Sequence, residues 1–210
     1  MMKERYLHSV ILSDIKEKMV FLGGPRQVGK TTLAKAIAEK TFPNAHYFNW
    51  DNEKHKSAIL NEEFNTEAKL LIFDEIHKYG RWKNYIKGVY DVHKTRYQIL
   101  VTGSARLDFY KKGGDSLLGR YHYHRLHPFS IAELVGERKK QNPGKELSFS
   151  HSSNHREIYE SLLQFGGFPE PFTRQNSKTL RRWQRQRIDA VVKEDIRDIE
   201  ILKNLSLLEL

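Results

Sequence analysis

Gly24-Pro25-Arg26-Gln27-Val28-Gly29-Lys30-Thr31 follows the apolar run Met19 to Leu22 and leads into a helix-forming run, Thr32 to Lys40. The spacing is G-x-x-x-x-G-K-[ST], and a strand before it with a helix after it is the context that gives this spacing physical meaning. A strand that delivers the chain to a glycine-rich turn aims backbone N–H groups and a helix N-terminus at one spot. Donors and a partial positive charge then converge on phosphate oxygens. The expected cradle comprises Gly24, Pro25, Arg26, Gln27, Val28, Gly29, Lys30, Thr31 and Thr32. Gly24 and Gly29 admit backbone angles and close approaches that a Cβ would block. Lys30 is expected to reach the β- and γ-phosphates, and Thr31 to place its hydroxyl on the Mg2+ that bridges them.

About 40 residues further on, Leu70-Leu71-Ile72-Phe73-Asp74-Glu75 is an apolar strand that ends in two carboxylates. An acid at the carboxyl end of the strand beside a phosphate loop can hold magnesium through water, which is the role expected for Asp74. Glu75 is then the candidate base that orients and polarises the water attacking the γ-phosphate. The following strand, Gln98 to Val101, runs into Thr102-Gly103-Ser104. Ligands of open α/β sheets bind at that edge. Ser104, with Thr102 as second choice, is the candidate to hydrogen-bond the attacking water or a γ-phosphate oxygen. Leu117-Leu118-Gly119-Arg120 leads into the last strand. Arg120 is a candidate cation for the transition-state charge, acting in cis or on a neighbouring subunit.

Strand-length runs at Met19 to Leu22, His46 to Asn49, Leu70 to Phe73, Ile99 to Val101 and Tyr121 to Leu126 alternate with helical patterns, including Lys83 to Lys94 and the less regular Ala105 to Leu118. Alternation of this kind predicts an α/β fold with a parallel, covered sheet. From Gly136 to Asn154 the composition shifts to Lys, Asn, Pro, Gly and Ser, which reads as a linker. The expected organisation is therefore a core over 1–135, a linker over 136–154 and a helical part over 155–210, with helices at His155 to Phe165 and about Lys178 to Lys203. The apolar tail Leu205, Leu207, Leu208 and Leu210 is expected to be covered by further chain or by a partner.

The 210 residues suffice for one good core and a small second subdomain. No apolar run approaches the ~20 residues that cross a bilayer, and the N-terminus lacks a signal-peptide pattern, so a cytoplasmic protein without a membrane partner is expected. The absence of cysteine excludes disulfides and thiolate metal sites. The net charge of +10 favours polyanionic partners.

Three segments, Gly-Gly-Pro-Arg-Gln-Val-Gly-Lys-Thr-Thr-Leu at 23–33, Phe-Asp-Glu-Ile-His-Lys at 73–78 and Thr-Gly-Ser-Ala-Arg at 102–106, together resemble prokaryotic AAA-superfamily ATPases. Ser-Leu-Leu-Gly-Arg-Tyr at 116–121, Leu-His-Pro-Phe-Ser-Ile-Ala-Glu-Leu at 126–134 and Gly-Gly-Phe-Pro-Glu-Pro at 166–171 are similar to the subgroup usually followed by a C-terminal domain of unknown function. The resemblance implies a five-stranded parallel sheet in the order 5-1-4-3-2, helices on both faces and a helical lid. It also implies ATP with Mg2+ as the bound nucleotide, possible homo-oligomers, and adenine contact by the Gly167-Phe168-Pro169 turn, with Pro169 in the cofactor site. The C-terminal domain it implies would lie past residue 210.

Other clusters carry weaker chemistry. His122 and His124 share one face of a strand, but no third ligand stands at a suitable spacing and Arg125 would repel a cation, so a solvated strand is the better reading. His77 lies beside the acidic pair and reads first as a helix-start residue. Arg174, Lys178, Arg181, Arg182, Arg185 and Arg187 crowd the lid around Trp183, as a nucleic-acid contact or as a solvated helix face. Two functions share these residues. One is a Mg-dependent ATPase coupled to lid movement and oligomer assembly, and the other a slowly hydrolysing ATP-loaded switch that recruits a partner or nucleic acid.

Overall fold

Continuous apolar runs such as Val20-Phe21-Leu22 and Leu70 to Phe73 belong to strands covered on both faces, and the computed structural model places them at the centre of a sheet. Residues 4–104, 117–136 and 153–190 are described. Contacts divide the chain into two compact units, Met1–His127 and Pro128–Leu210. Most of the expected linker, residues 137–152, lies outside the described residues. So do 105–116 of the irregular helical candidate, 191–203 of the last expected helix, and the leucine-rich tail.

The first unit runs α1 (His8–Asp14), β1 (Met19–Gly23), α2 (Lys30–Thr41), β2 (His46–Asn49), α3 (Glu53–Leu60), β3 (Leu70–Asp74), a 3-10 turn (Ile76–Lys78), α4 (Trp82–His93), β4 (Gln98–Thr102) and β5 (Tyr121–Arg125). All neighbouring strands pair in parallel in the order β2-β3-β4-β1-β5, which is the expected order read from the other edge. Burial follows that order. Strands β1 and β3 are buried throughout, whereas the edge strands β2 and β5 are mostly half-buried.

Successive strand side chains point to opposite faces. Met19, Phe21, Leu71, Phe73, Ile99 and Val101 share one core cluster with Ile59 of α3 and with Trp82, Ile86 and Val89 of α4. Val20, Leu22, Leu70, Ile72 and Leu100 are equally buried outside that cluster, and α1 and α2 are the other helices that lie against strands. Two sequence features account for two of the helices beyond those expected. Asn52 caps α3 by accepting from the His55 N–H at 3.2 Å, and Pro169 occupies the first turn of a short helix over Pro169–Arg174.

The second unit is helical over its described residues: α5 (Ile131–Val135), α6 (Ser153–Phe165), α7 (Pro169–Arg174) and α8 (Ser177–Ala190). Helix α6 packs on α5 and α7, and α7 on α8. Gly167 is required where the chain passes Phe129. Its carbonyl accepts the Phe129 N–H at 2.7 Å, and a Cβ would stand 2.5 Å from the Phe129 carbonyl oxygen. Trp183 is buried and its ring lies 4.9 Å from that of Phe168. Among the described residues no helix is long and apolar enough to cross a membrane.

Candidate active site

Strand β1 hands the chain to the glycine-rich loop at Gly24, whose φ of 144° is closed to ordinary side chains. A Cβ there would stand 2.4 Å from the Leu126 carbonyl oxygen, so the loop start is pressed against the end of β5. Gly29, at φ 97°, turns the loop into α2, and Gln27 is also left-handed at φ 62°. Pro25, Arg26 and Val28 complete the turn, and Thr32 lies in the first turn of α2. The buried Lys30 ammonium donates to the carbonyls of Gly24 at 3.0 Å and Pro25 at 2.9 Å. It is thus folded back over its own loop.

Arg5, ahead of α1, braces this loop from behind. Its guanidinium donates to the carbonyl of Val28 at 2.8 Å and to that of His127. Nothing in its local sequence marks it, because the contact joins segments 23 and 122 residues apart.

Strand register assembles the acid site. Asp74 pairs with Thr102 on β4 and with Asn49 on β2, which brings the Thr102 and Tyr47 hydroxyls to its carboxylate, and α2 adds that of Thr31. Thr31 donates to Asp74 Oδ2 at 2.8 Å and Tyr47 to the same oxygen at 2.7 Å, while the fully buried Thr102 donates to Oδ1. Burial, followed by the Asp74 hydrogen bond, pushes the Tyr47 hydroxyl well above the ordinary tyrosine range. A hydroxyl and a carboxylate in contact at the mouth of a phosphate loop are the hard oxygen donors that suit Mg2+. Tyr47 was missed in the sequence, although the expected strand order places β2 beside β3 and its parity matches that of Asp74.

Glu75 leaves the strand in a left-handed conformation, φ 59°, with its N–H bonded to the Thr102 carbonyl at 3.0 Å. Burial raises its carboxyl above the ordinary value; Lys78 opposes that shift and Asp74 adds to it. Glu75 Oε2 lies 3.5 Å from Lys78 Nζ and 3.7 Å from His77 Nε2. Lys78 is held in turn by both carboxylate oxygens of Asp51, at 2.8 and 2.6 Å. Against the burial that would lower it, the Asp51 hydrogen bond and Glu75 raise the Lys78 ammonium. His77 belongs to the 3-10 turn and is buried, with Nε2 3.1 Å from Ser104 Oγ. Ser104 therefore reaches the acidic pair through His77.

The fold brings Lys30, Thr31, Asp74, Glu75 and Ser104 to the carboxyl end of the sheet. Arg120 stands elsewhere within its own chain. It directly precedes β5, whose first residue pairs with Met19 at the start of β1, so it sits at the opposite end of the strands, roughly 16 Å from the loop. There it forms a two-pronged pair with Asp91, Nε to Oδ1 at 2.8 Å and Nη2 to Oδ2 at 3.2 Å, which lowers the Asp91 carboxyl. His124 pairs with Asp14 at 2.6 Å and His122 approaches Glu17 at 3.7 Å. Pro169 lies in the second unit, as the first residue of α7.

Among solved structures, the Thermotoga maritima RuvB Holliday junction branch migration motor is 22% identical, with a TM-score of 0.42, over 62% of this chain and 47% of that one. Bacteroides Pif1 bound to ssDNA is 14% identical, with a TM-score of 0.41, over 81% of this chain and 48% of that one. The chain thus spans about half the length of these proteins. No curated protein sequence matches. A family model described as an AAA domain matches residues 16–135, more than half of the chain. With the phosphate loop, the acid-tipped strand β3 and the five-stranded parallel sheet in place, the chain belongs to the AAA-domain family of P-loop ATPases.

Proposed function

We propose that this chain binds ATP with Mg2+ and hydrolyses its β–γ phosphoanhydride. The observation that carries the reading is the contact between Thr31 and Asp74, which joins the end of the phosphate loop to the acid of β3 at the mouth of the loop. Lys30 and the loop N–H groups would hold the phosphates, and Thr31 and Asp74 would hold Mg2+. The ion would supply charge neutralisation on the phosphate oxygens. Glu75, whose carboxyl is raised above its ordinary value by burial, would accept a proton from the attacking water, with Ser104 and His77 fixing its surroundings. Arg120 would act on the site of a neighbouring copy, because its place at the far end of β5 keeps it from its own loop. Lid movement in the second unit would accompany the nucleotide cycle.

Turnover measured with magnesium across a wide protein concentration range tests this. The wild type should hydrolyse ATP with a rate per chain that rises with concentration, and Arg120→Ala should lose that rise. Glu75→Gln should bind ATP and not turn it over. Equal turnover in Glu75→Gln and wild type would remove Glu75 from the role of base.

One observation favours the slower alternative, an ATP-loaded switch that recruits a partner. Glu75 is held within 3.5 Å of Lys78, itself anchored on Asp51, and a base kept in an ion pair is a weak one. In that case Lys78→Met would raise turnover; a fall would favour the ATPase reading.

A further inference from the structure

Helix α8 carries Lys178, Arg181, Arg182 and Arg185 at spacings i, i+3, i+4 and i+7. At 3.6 residues per turn these four positions fall on one stripe, about 10 Å long. All four side chains are exposed, and none has an ion pair among the described residues. The opposite side of the helix is the anchored one. Trp183 is buried against Phe168, Leu180 is half-buried, and the Arg187 guanidinium lies over the Phe168 ring at 4.2 Å. The stripe is therefore turned outward by packing.

Neighbouring like charges at i+3 and i+4 oppose helix formation, and Asp189, at the end of the stripe, is the only acid in α8. A polyanion would relieve that repulsion along the whole stripe. We infer that this face of α8 binds the phosphodiester backbone of a nucleic acid, without reading its sequence. Three of the four cations are arginine, whose planar fork takes two phosphate oxygens at once. Neighbouring positions on the stripe have Cβ atoms about 5–6 Å apart, so their long side chains can reach successive phosphates of one strand. A membrane surface fits less well. The apolar side of α8 is turned into its own unit, and Ile188 is the only large apolar side chain exposed on the helix. The inference is independent of the nucleotide reading, since none of the four residues belongs to the ATP site.

The test is fluorescence anisotropy of the full chain, without nucleotide, on a labelled 20-base-pair DNA duplex and on one of its strands, between 50 and 200 mM salt. Four phosphate contacts predict that the stripe contributes about −3.6 to the log–log salt slope on duplex and about −2.8 on single strand. Over this salt range that is roughly a 150-fold or a 50-fold loss of affinity. The tighter arm identifies the form of nucleic acid recognised. In the variant Lys178→Gln/Arg181→Gln/Arg182→Gln/Arg185→Gln most of the slope and affinity should vanish. Replacing the three arginines with lysine should keep the slope and weaken affinity. If the fourfold variant does not fold, each single glutamine variant should remove about 0.9 from the duplex slope. Slopes unchanged in the glutamine variants would overturn the inference, as would equally tight binding of poly-glutamate.

Discussion

Replacing Tyr47 with phenylalanine deletes one hydroxyl and keeps the ring, so it isolates a single hydrogen bond to Asp74. That bond is 2.7 Å long and its acceptor belongs to a buried acid. Hydrogen bonds to charged groups contribute about 1.5–3 kcal/mol. Tyr47 is only half-buried, so water can replace its hydroxyl, and the lower figure of about 1.5 kcal/mol applies. Thr102 donates to the other oxygen of the same carboxylate but is fully buried. No water can follow, and Thr102→Val should cost about 3 kcal/mol. In a protein of this size the two variants should melt about 3–6 °C and 6–12 °C below the wild type. The assay is thermal unfolding followed by circular dichroism in chelator, without nucleotide. Because the Tyr47 hydroxyl is raised in the folded state, its contribution is fully present below the unfolded value of about 10 and fades only as pH climbs through the folded one. The gap between wild type and Tyr47→Phe should hence stay constant from pH 7 to 9. Equal losses in the two variants, or none in either, would refute the account of Asp74 as a carboxylate held by three hydroxyls.

Glu75→Gln should melt higher than the wild type at neutral pH. The raised carboxyl lends relative stability that is present below the ordinary glutamate value and lost as pH rises through the folded one, so the advantage of the variant should shrink on acidification. Gly24→Ala should lose nucleotide binding, since its Cβ would stand 2.4 Å from a backbone oxygen at a φ of 144°; isothermal titration with an ATP analogue measures this, and normal affinity would contradict the packing described. Arg5→Met should cost about 1–3 kcal/mol in chemical denaturation by stripping a donor from the buried carbonyl of Val28 and the partly buried one of His127, and it should weaken ATP affinity through the loosened loop.

Strands β1, β3 and β4 were legible as short apolar runs bounded by polar or glycine residues, the edge strands β2 and β5 as aromatic-rich runs of strand length, and the sheet order followed from the resemblance carried by their motifs. The meeting of Lys30, Thr31 and Asp74 at one end of the sheet was legible because the glycine-rich spacing and the acid-tipped strand set them at fixed offsets from two strand ends. What stayed hidden depends on distance in the chain. Arg5 can hold Val28 and His127 together only once β1 and β5 have paired, and Tyr47 reaches Asp74 only through strand register. The Asp51–Lys78–Glu75 chain of charges joins two loops that look like solvated turns in the sequence. Arg120 was readable as a candidate cation, but its remoteness from its own loop required the parallel register of Tyr121 with Met19.

The left-handed backbone of Glu75 sets stability against chemistry at a single position. Holding a non-glycine residue at φ 59° costs on the order of 1 kcal/mol, and burying its carboxylate adds to that cost. Glycine or asparagine here would relax the chain and remove the proposed base in the same step. A library of this protein selected for heat resistance alone should therefore converge early on loss of Glu75, whereas one selected for nucleotide turnover should retain it and gather its stabilising changes elsewhere.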